Sequence, residues 1–288
     1  MKAIFRHELS SCFTSLTGYV FAAFLLLFAG IFTMAYNLNY QVANFEYVLG
    51  DMSLVFLIIV PVLTMRVLAE ERRQKTDQLL YSLPLSMTQV VLGKYAALLC
   101  MFLLPTAVIC LYPILLSAFG SIYFPAAYGA VCGFFLLGAA LAAIGVFVSS
   151  VTESQAVAAG VCFVVMLVNY FLSTLTGYVS SSAFASCAAV AVLILLLVVV
   201  LWRMTRNSTL ALTVGIVLEG ALAVFYLMRG EQLAGVFPQL LESLSLFDRF
   251  STFVNGVFDL TAVVYYLTVI GVFLFLSVQS MEKRRWSE

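Results

Sequence analysis

The chain has 288 residues, of which 64% are hydrophobic and only 10% charged, and its mean hydropathy is +1.09. Soluble domains carry about 25% charged residues, so this chain cannot cover itself with a polar surface. Lys plus Arg and Asp plus Glu stand at 14 each. A formal net charge of zero argues against nucleic acid as a partner and says nothing about lipid.

The composition implies an all-α, polytopic membrane protein of one domain, residues 1–288. The opening MKAIFRHELSSCF lacks a short apolar core followed by a small-residue cleavage site, so no cleavable signal is expected. A span needs about 20 mostly apolar residues. In chain order the sequence supplies eight such runs: roughly 15–36, 52–69, 94–119, 126–149, 156–175, 184–202, 209–228 and 259–279. The third is long enough to tilt, and Pro105 and Pro113 predict kinks in it. The fourth carries Gly129, Gly133, Gly138, Ala142 and Gly145, and the fifth opens with Ala156 and Gly160. Small residues at helical spacing let backbones approach closely, either between spans of one chain or at a subunit seam. Asn169, near the outer end of the fifth run, suits a hydrogen bond between helices. The sixth and seventh runs are parted only by RMTRNS, which predicts a tight helical hairpin.

Orientation follows from the basic residues. With the N-terminus inside and the spans alternating, Lys2, Arg6, Arg66, Arg72, Arg73, Lys75, Lys94, Arg203, Arg206, Lys283, Arg284 and Arg285 are cytosolic, twelve of the 14. Arg229 and Arg249 lie outside, among Glu46, Asp51, Glu231, Glu242, Asp248 and Asp259. Both termini are therefore expected in the cytosol, with Lys283, Arg284, Arg285 and Trp286 anchoring the C-terminal end at the headgroups.

Between the second and third spans the chain abruptly turns polar, in EERRQKTDQ. Glu71 and Lys75 are four apart, as are Arg73 and Asp77, so a short helix over about 70–83 can support itself. Leu79, Leu80 and Leu83 give it an apolar edge and Pro84 stops it. The residues leave two readings open: a solvated loop that fixes topology, or a docking element for a cytosolic partner. On the outer side, Leu240, Leu244, Phe247, Ser251, Val254 and Phe258 recur at helical spacing opposite Glu242, Asp248, Arg249 and Asn255. The segment 237–258 therefore reads as an amphipathic helix that lies on the outer interface or dips in and returns.

Chemistry-bearing residues are sparse. Six cysteines form no CxxC, His7 is the lone histidine, and neither HExxH nor paired intramembrane carboxylates occur. That argues against a metal centre and against an intramembrane protease or acyltransferase. No GxxxxGK[ST] is present to cradle phosphates, so any use of ATP requires a separate polypeptide. Glu219 is the acidic residue placed mid-span, where a charge costs about 2.5–3.5 kcal/mol. It is either a proton or pathway site, or a protonated carboxyl hydrogen-bonded to a neighbouring helix. A transporter driven by an ion gradient is an alternative reading. Such proteins usually show matching halves, broken helices and several intramembrane charges, whereas here there is one Glu and no clear duplication.

EERRQKTDQLLYSLPLSMTQVVLGKY resembles the first cytoplasmic loop of ABC type-2 transporter permeases, commonly Glu-Glu-x-x-x-Gly-Thr-x-Glu-Leu-Leu-x-x-Leu-Pro-Val-Ser with a Gly-Lys after it. Glu70, Glu71, Thr76, Leu79, Leu80, Leu83, Pro84, Ser86, Gly93 and Lys94 match, while Lys75 replaces the family Gly and Gln78 the following Glu. FRHELSSCFTSLTGYVFAAFLLLFAG is similar to the family's N-terminal interfacial helix and first span. FVSSVTESQAVAAG is similar to its second cytoplasmic turn, with Ser149, Ser150, Thr152, Glu153, Gln155 and Ala158 in place. The closing segment from LSLFDRF to MEKRRW resembles the gliding-motility-type branch.

The resemblance implies an exporter of the bacterial cytoplasmic (inner) membrane. Its permease would be a homodimer or a heterodimer with a related permease, above two copies of a cytosolic ATPase that binds ATP and Mg. It implies a coupling role for Glu70, Glu71, Arg72, Thr76, Gln78, Leu79, Leu80, Leu83 and Pro84, and for Ser149, Thr152, Glu153 and Gln155. Closure of the ATPases would push on these segments and rock the spans. An auxiliary extracytoplasmic protein often accompanies the gliding-type branch.

Overall fold

Away from water an apolar chain must satisfy its backbone N–H and C=O groups internally, and a helix does so within each segment. The computed structural model describes residues 2–14, 16–73, 86–178, 180, 182–205 and 208–285. Every regular element among the described residues is helical. Helix α1 (Lys2–Thr14) leads to α2 (Leu16–Thr33), which ends in a π-helical turn, Met34–Asn39. Helix α3 (Phe45–Met52), a 3-10 turn (Ser53–Val55) and α4 (Phe56–Thr64) precede the short α5 (Ala69–Arg73). Next come α6 (Met87–Ile109), α7 (Tyr112–Leu116), α8 (Phe124–Val151) and α9 (Gln155–Thr176). Helices α10 (Ala183–Thr205), α11 (Ser208–Arg229), α12 (Val236–Leu244), α13 (Leu246–Val254) and α14 (Leu260–Arg285) complete the chain.

Among the described residues, six helical stretches are long and apolar enough to cross a membrane: Gly18–Asn39, Phe45–Glu71, Met87–Leu116, Phe124–Val151, Gln155–Thr176 and Leu260–Lys283. The runs expected as the sixth and seventh spans are helices α10 and α11, whose described apolar stretches, Ala183–Leu195 and Leu212–Tyr226, are shorter.

Three boundaries differ from the sequence reading. The second span, expected from residue 52, is helical from Phe45, so Glu46 and Asp51 lie on helix rather than in an outer loop. Local partners make this possible: Asn44 Nδ2 donates to Glu46 Oε1 at 2.8 Å, and the Tyr36 hydroxyl donates to Asp51. The third span starts earlier than residue 94, at Met87, where Ser86 accepts from the Gln89 N–H at 3.3 Å as an N-cap. Its interruption falls between Ile109 and Tyr112, just before Pro113, whereas Pro105 lies within continuous helix.

The third difference is in the segment 237–258, which is two helices broken at Ser245, not one. The break resets the helical register. The buried face of α13 is Leu246, Phe247, Phe250 and Phe253, not the stripe that includes Ser251 and Val254.

The chain divides into two units, Met1–Val168 with Leu246–Glu288, and Asn169–Ser245. In the first, α8 is the central helix, packed against α3, α4, α6, α13 and α14. Of its most apolar stretch 78% is buried, against 17% for α9, which marks α9 as peripheral. Glycines set the approach to α8. A Cβ on Gly133 would lie 2.7 Å from the Phe253 ring, one on Gly138 2.5 Å from the Phe102 ring, and one on Gly145 2.7 Å from Thr64 Cβ. These three glycines therefore pack helices of the same chain, Gly138 and Gly145 against other spans and Gly133 against α13. Rings fill the space between: Phe56 and Phe134 have centroids 4.4 Å apart, and Phe56 and Phe102 meet edge-on at 5.5 Å. Buried hydroxyls are satisfied by backbone, Tyr95 by Ala139 O at 3.0 Å and Tyr266 by Leu246 O at 2.8 Å. In the second unit α10 packs along α11, with a Cβ on Gly215 only 3.0 Å from Val198. Asn169 Nδ2 there donates to Leu244 O at 3.0 Å.

Candidate functional site

The chain after α4 has to leave the helix and restart as α5, and a restarting helix exposes backbone N–H groups that need acceptors. Two of them find a single side chain. Ser149 Oγ, fully buried near the end of α8, accepts from Leu68 N at 3.1 Å and from Ala69 N at 3.0 Å. The same hydroxyl donates to Met65 O at 3.4 Å. One proton given and two lone pairs filled is the full capacity of a serine hydroxyl. Ser149 therefore acts as an N-cap supplied from another helix. It fastens the polar segment after the second span to the end of the fourth.

Lys94 makes the second joint. It sits in the second turn of α6 with a side chain only 3% exposed. Its Nζ lies 2.7 Å from Glu8 Oε1 on α1 and 2.8 Å from Glu71 Oε1 on α5. A buried ammonium needs compensation of this kind, because taking an ion out of water costs several kcal/mol. The two carboxylates also come from separate segments, so Lys94 holds α1, α5 and α6 together. The trio carries one more negative charge than positive.

A third tie closes the same end of the unit. Ser280 Oγ of α14 donates to Ser150 O of α8 at 3.2 Å. Helix α8 stops at Val151 because Thr152 turns extended, with its Oγ1 donating back to Val148 O at 2.9 Å. Beside this turn Met65, Arg73, Glu153, Ser154, Gln155 and Ala156 line an open groove of about 420 Å³.

The structure thus gathers several residues singled out from the sequence. Glu71 meets Lys94, Ser149 holds the start of α5, and Glu153 and Gln155 share a groove with Arg73. Glu70 and the backbone of Arg72 lie on α5. Thr76, Gln78, Leu79, Leu80, Leu83 and Pro84, with most of the helix expected over 70–83, lie outside the described residues. So does Lys75, the partner expected for Glu71. Glu219 lies on α11 in the second unit, and its Oε1 is buried with no hydrogen-bond partner among the described residues. The sequence reading missed Glu8, Leu68, Ala69 and Ser280. One signal was present: Lys94 lies in the apolar run VVLGKYAALL, where a charge demands a partner.

Neither a curated protein nor a solved structure matches this chain. A family model described as ABC-2 family transporter protein matches residues 29–187, more than half of the chain. That range contains both Ser149 and Lys94 with its partner Glu71, leaving only Glu8 of the trio before it. The six apolar helices, the joined polar turns at one end of the bundle and the family match agree: the chain is a multi-pass membrane protein and belongs to the ABC-2 family of transporters, as a permease.

Proposed function

We propose that this chain is the membrane subunit of an ATP-driven exporter and that the joint around Ser149 and Lys94 receives force from a separate cytosolic ATPase. The observation that carries this is the double fastening of α5. Ser149 holds its backbone to α8, and Lys94 holds Glu71 to α6 and α1. A push on the segment that begins at α5 would reach three spans at once instead of being absorbed in a loop. The absence of a phosphate-cradling GxxxxGK[ST] from the sequence supports assigning ATP and Mg to the partner.

In this reading the basic end faces the cytosol of a bacterium, both termini lie there, and α10 and α11 bring the spans to eight. Two ATPase copies serve a dimer of permeases, either two copies of this chain or this chain with a relative. The closing segment favours the gliding-motility-type branch, with an auxiliary extracytoplasmic protein. The groove beside Arg73 and Glu153 supplies the second point of contact.

The test is capture of the full-length chain from its own membranes after mild cross-linking. An ATP-hydrolysing polypeptide should co-purify, and Glu71→Ala combined with Leu80→Ala should release it. Glu8→Gln, which relaxes Lys94 without touching the contact segment, should retain it. Transport undiminished in nucleotide-free vesicles would overturn the proposal. Glu219, with Oε1 buried and unpartnered among the described residues, supports a second reading as an ion-gradient-driven transporter. Flux that follows an imposed proton gradient and is lost in Glu219→Gln would favour it.

A further inference from the structure

The exposed face of α1 has chemistry of its own. Glu8 is the one carboxylate in the α1 sequence KAIFRHELSSCFT, and it is turned toward Lys94 at 2.7 Å. This pairing fixes the rotation of α1 about its axis. Arg6, His7, Ser10, Ser11 and Thr14 are left exposed, all within one arc of about 140° around the helix axis. Together they form an open polar surface along one side of the helix. Arg6 brings a fixed positive charge, His7 a ring N–H and the serines hydroxyl donors, all suited to phosphate oxygens. Thr14 Oγ1 donates to Ser10 O at 2.9 Å, which leaves its lone pairs as acceptors for a hydroxyl.

Position selects among anions. Helix α1 ends at Thr14, about one turn before the first apolar span begins at Gly18, and Glu8 beside Arg6 and His7 pairs with Lys94 within the third span, so this face runs along the membrane entry. That is the depth of lipid phosphates. We propose that the α1 face of Arg6, His7, Ser10, Ser11 and Thr14 is a binding site for the headgroup of an anionic phospholipid of the phosphatidylglycerol class. The site is separate from ATPase coupling and is measured without nucleotide, so its failure would leave the proposed function standing.

The test is lipid retention by the purified full-length chain, delipidated and then offered equimolar phosphatidylglycerol and phosphatidylcholine with identical acyl chains. Bound lipid is read by native mass spectrometry. The wild-type chain should prefer phosphatidylglycerol. Arg6→Gln with His7→Gln should lower its retention roughly fivefold or more, the scale of one basic side chain at an anionic surface, with phosphatidylcholine unchanged. Ser10→Ala with Ser11→Ala keeps the charge and should lower it roughly threefold through lost hydrogen bonds. Circular dichroism verifies that each variant is folded. Equal retention of the two lipids, or an unchanged preference in Arg6→Gln/His7→Gln, would overturn the proposal. So would displacement of the lipid by excess inorganic phosphate, which would mark a simple anion site.

Discussion

Lys94 and Glu71 form an ion pair at 2.8 Å in which the ammonium is 3% exposed, and Glu8 closes on the same nitrogen at 2.7 Å. The three members are not equivalent. Lys94→Met leaves two carboxylates facing one another without the ammonium they share, at a cost of about 3–5 kcal/mol. Glu8→Gln leaves a neutral Lys94–Glu71 pair, and a partly exposed carboxylate contributes about 1 kcal/mol or less. Thermal unfolding in detergent should therefore rank Lys94→Met far below Glu8→Gln. Equal losses would show that the trio does not share one charge.

Ser149→Ala removes the acceptor of two buried backbone N–H groups. Leaving such donors unsatisfied costs about 1–3 kcal/mol, and the loss should be local. Amide exchange at Leu68 and Ala69 should quicken while exchange within α8 keeps its wild-type rate. Uniformly faster exchange would mean that the serine serves global stability instead of the start of α5.

The glycines of α8 and α9 should separate cleanly. Gly138→Ala and Gly145→Ala drive a methyl into Phe102 and Thr64, so each should destabilise by about 1–3 kcal/mol through overpacking. At Gly160 nothing lies within 4 Å of a built Cβ. Gly160→Ala should be neutral or stabilising by up to ~1 kcal/mol, the helix-propensity gain. Unfolding temperatures of the three purified variants check the contrast.

At the start of α14, Asp259 Oδ1 accepts from Thr261 N at 2.8 Å. Hydrogen bonds from the Thr261 side chain and backbone hold its carboxyl below the usual carboxylate range. A depressed folded value stabilises above the unfolded pKa of about 3.9, and that contribution is lost as pH falls through the folded value. Protection of the Thr261 amide, its exchange measured against the intrinsic rate at the same pH, should fall on acidification below that range. In Asp259→Ala that protection should be low already at neutral pH and should not fall further on acidification.

Much of the architecture was legible because a membrane reduces the sequence to apolar runs and their interruptions. The runs that became α8, α9 and α14 begin and end within a few residues of their sequence bounds, apart from the C-terminal end of α14. Charge misled at Glu46 and Asp51, which mark a loop only when they lack partners. Here Asn44 and Tyr36 supply them, and the helix starts at Phe45. In the outer segment, periodicity was read across Ser245, and no pattern survives a break in the helix.

The candidate site was legible as two segments but not as a joint. Family-like residues marked 70–84 and 149–155, yet that Ser149 caps α5 is a fact of three-dimensional approach between residues 81 positions apart. Lys94 announced its need for a partner by lying in an apolar run. Nothing in one sequence says that the partners would be Glu8 and Glu71.

The wide spacing of these ties bears on how the protein is made. Glu8 leaves the ribosome 86 residues ahead of Lys94, a delay on the order of ten seconds at ordinary elongation rates. Until the third span has inserted, the first helix has no ammonium to close on. Ser149 follows later still, and Ser280 donates to Ser150 only when the last helix is in place. The joint is thus completed from the amino end toward the carboxyl end, and a chain halted before Ser149 would leave the Leu68 and Ala69 amides open to quality-control proteases.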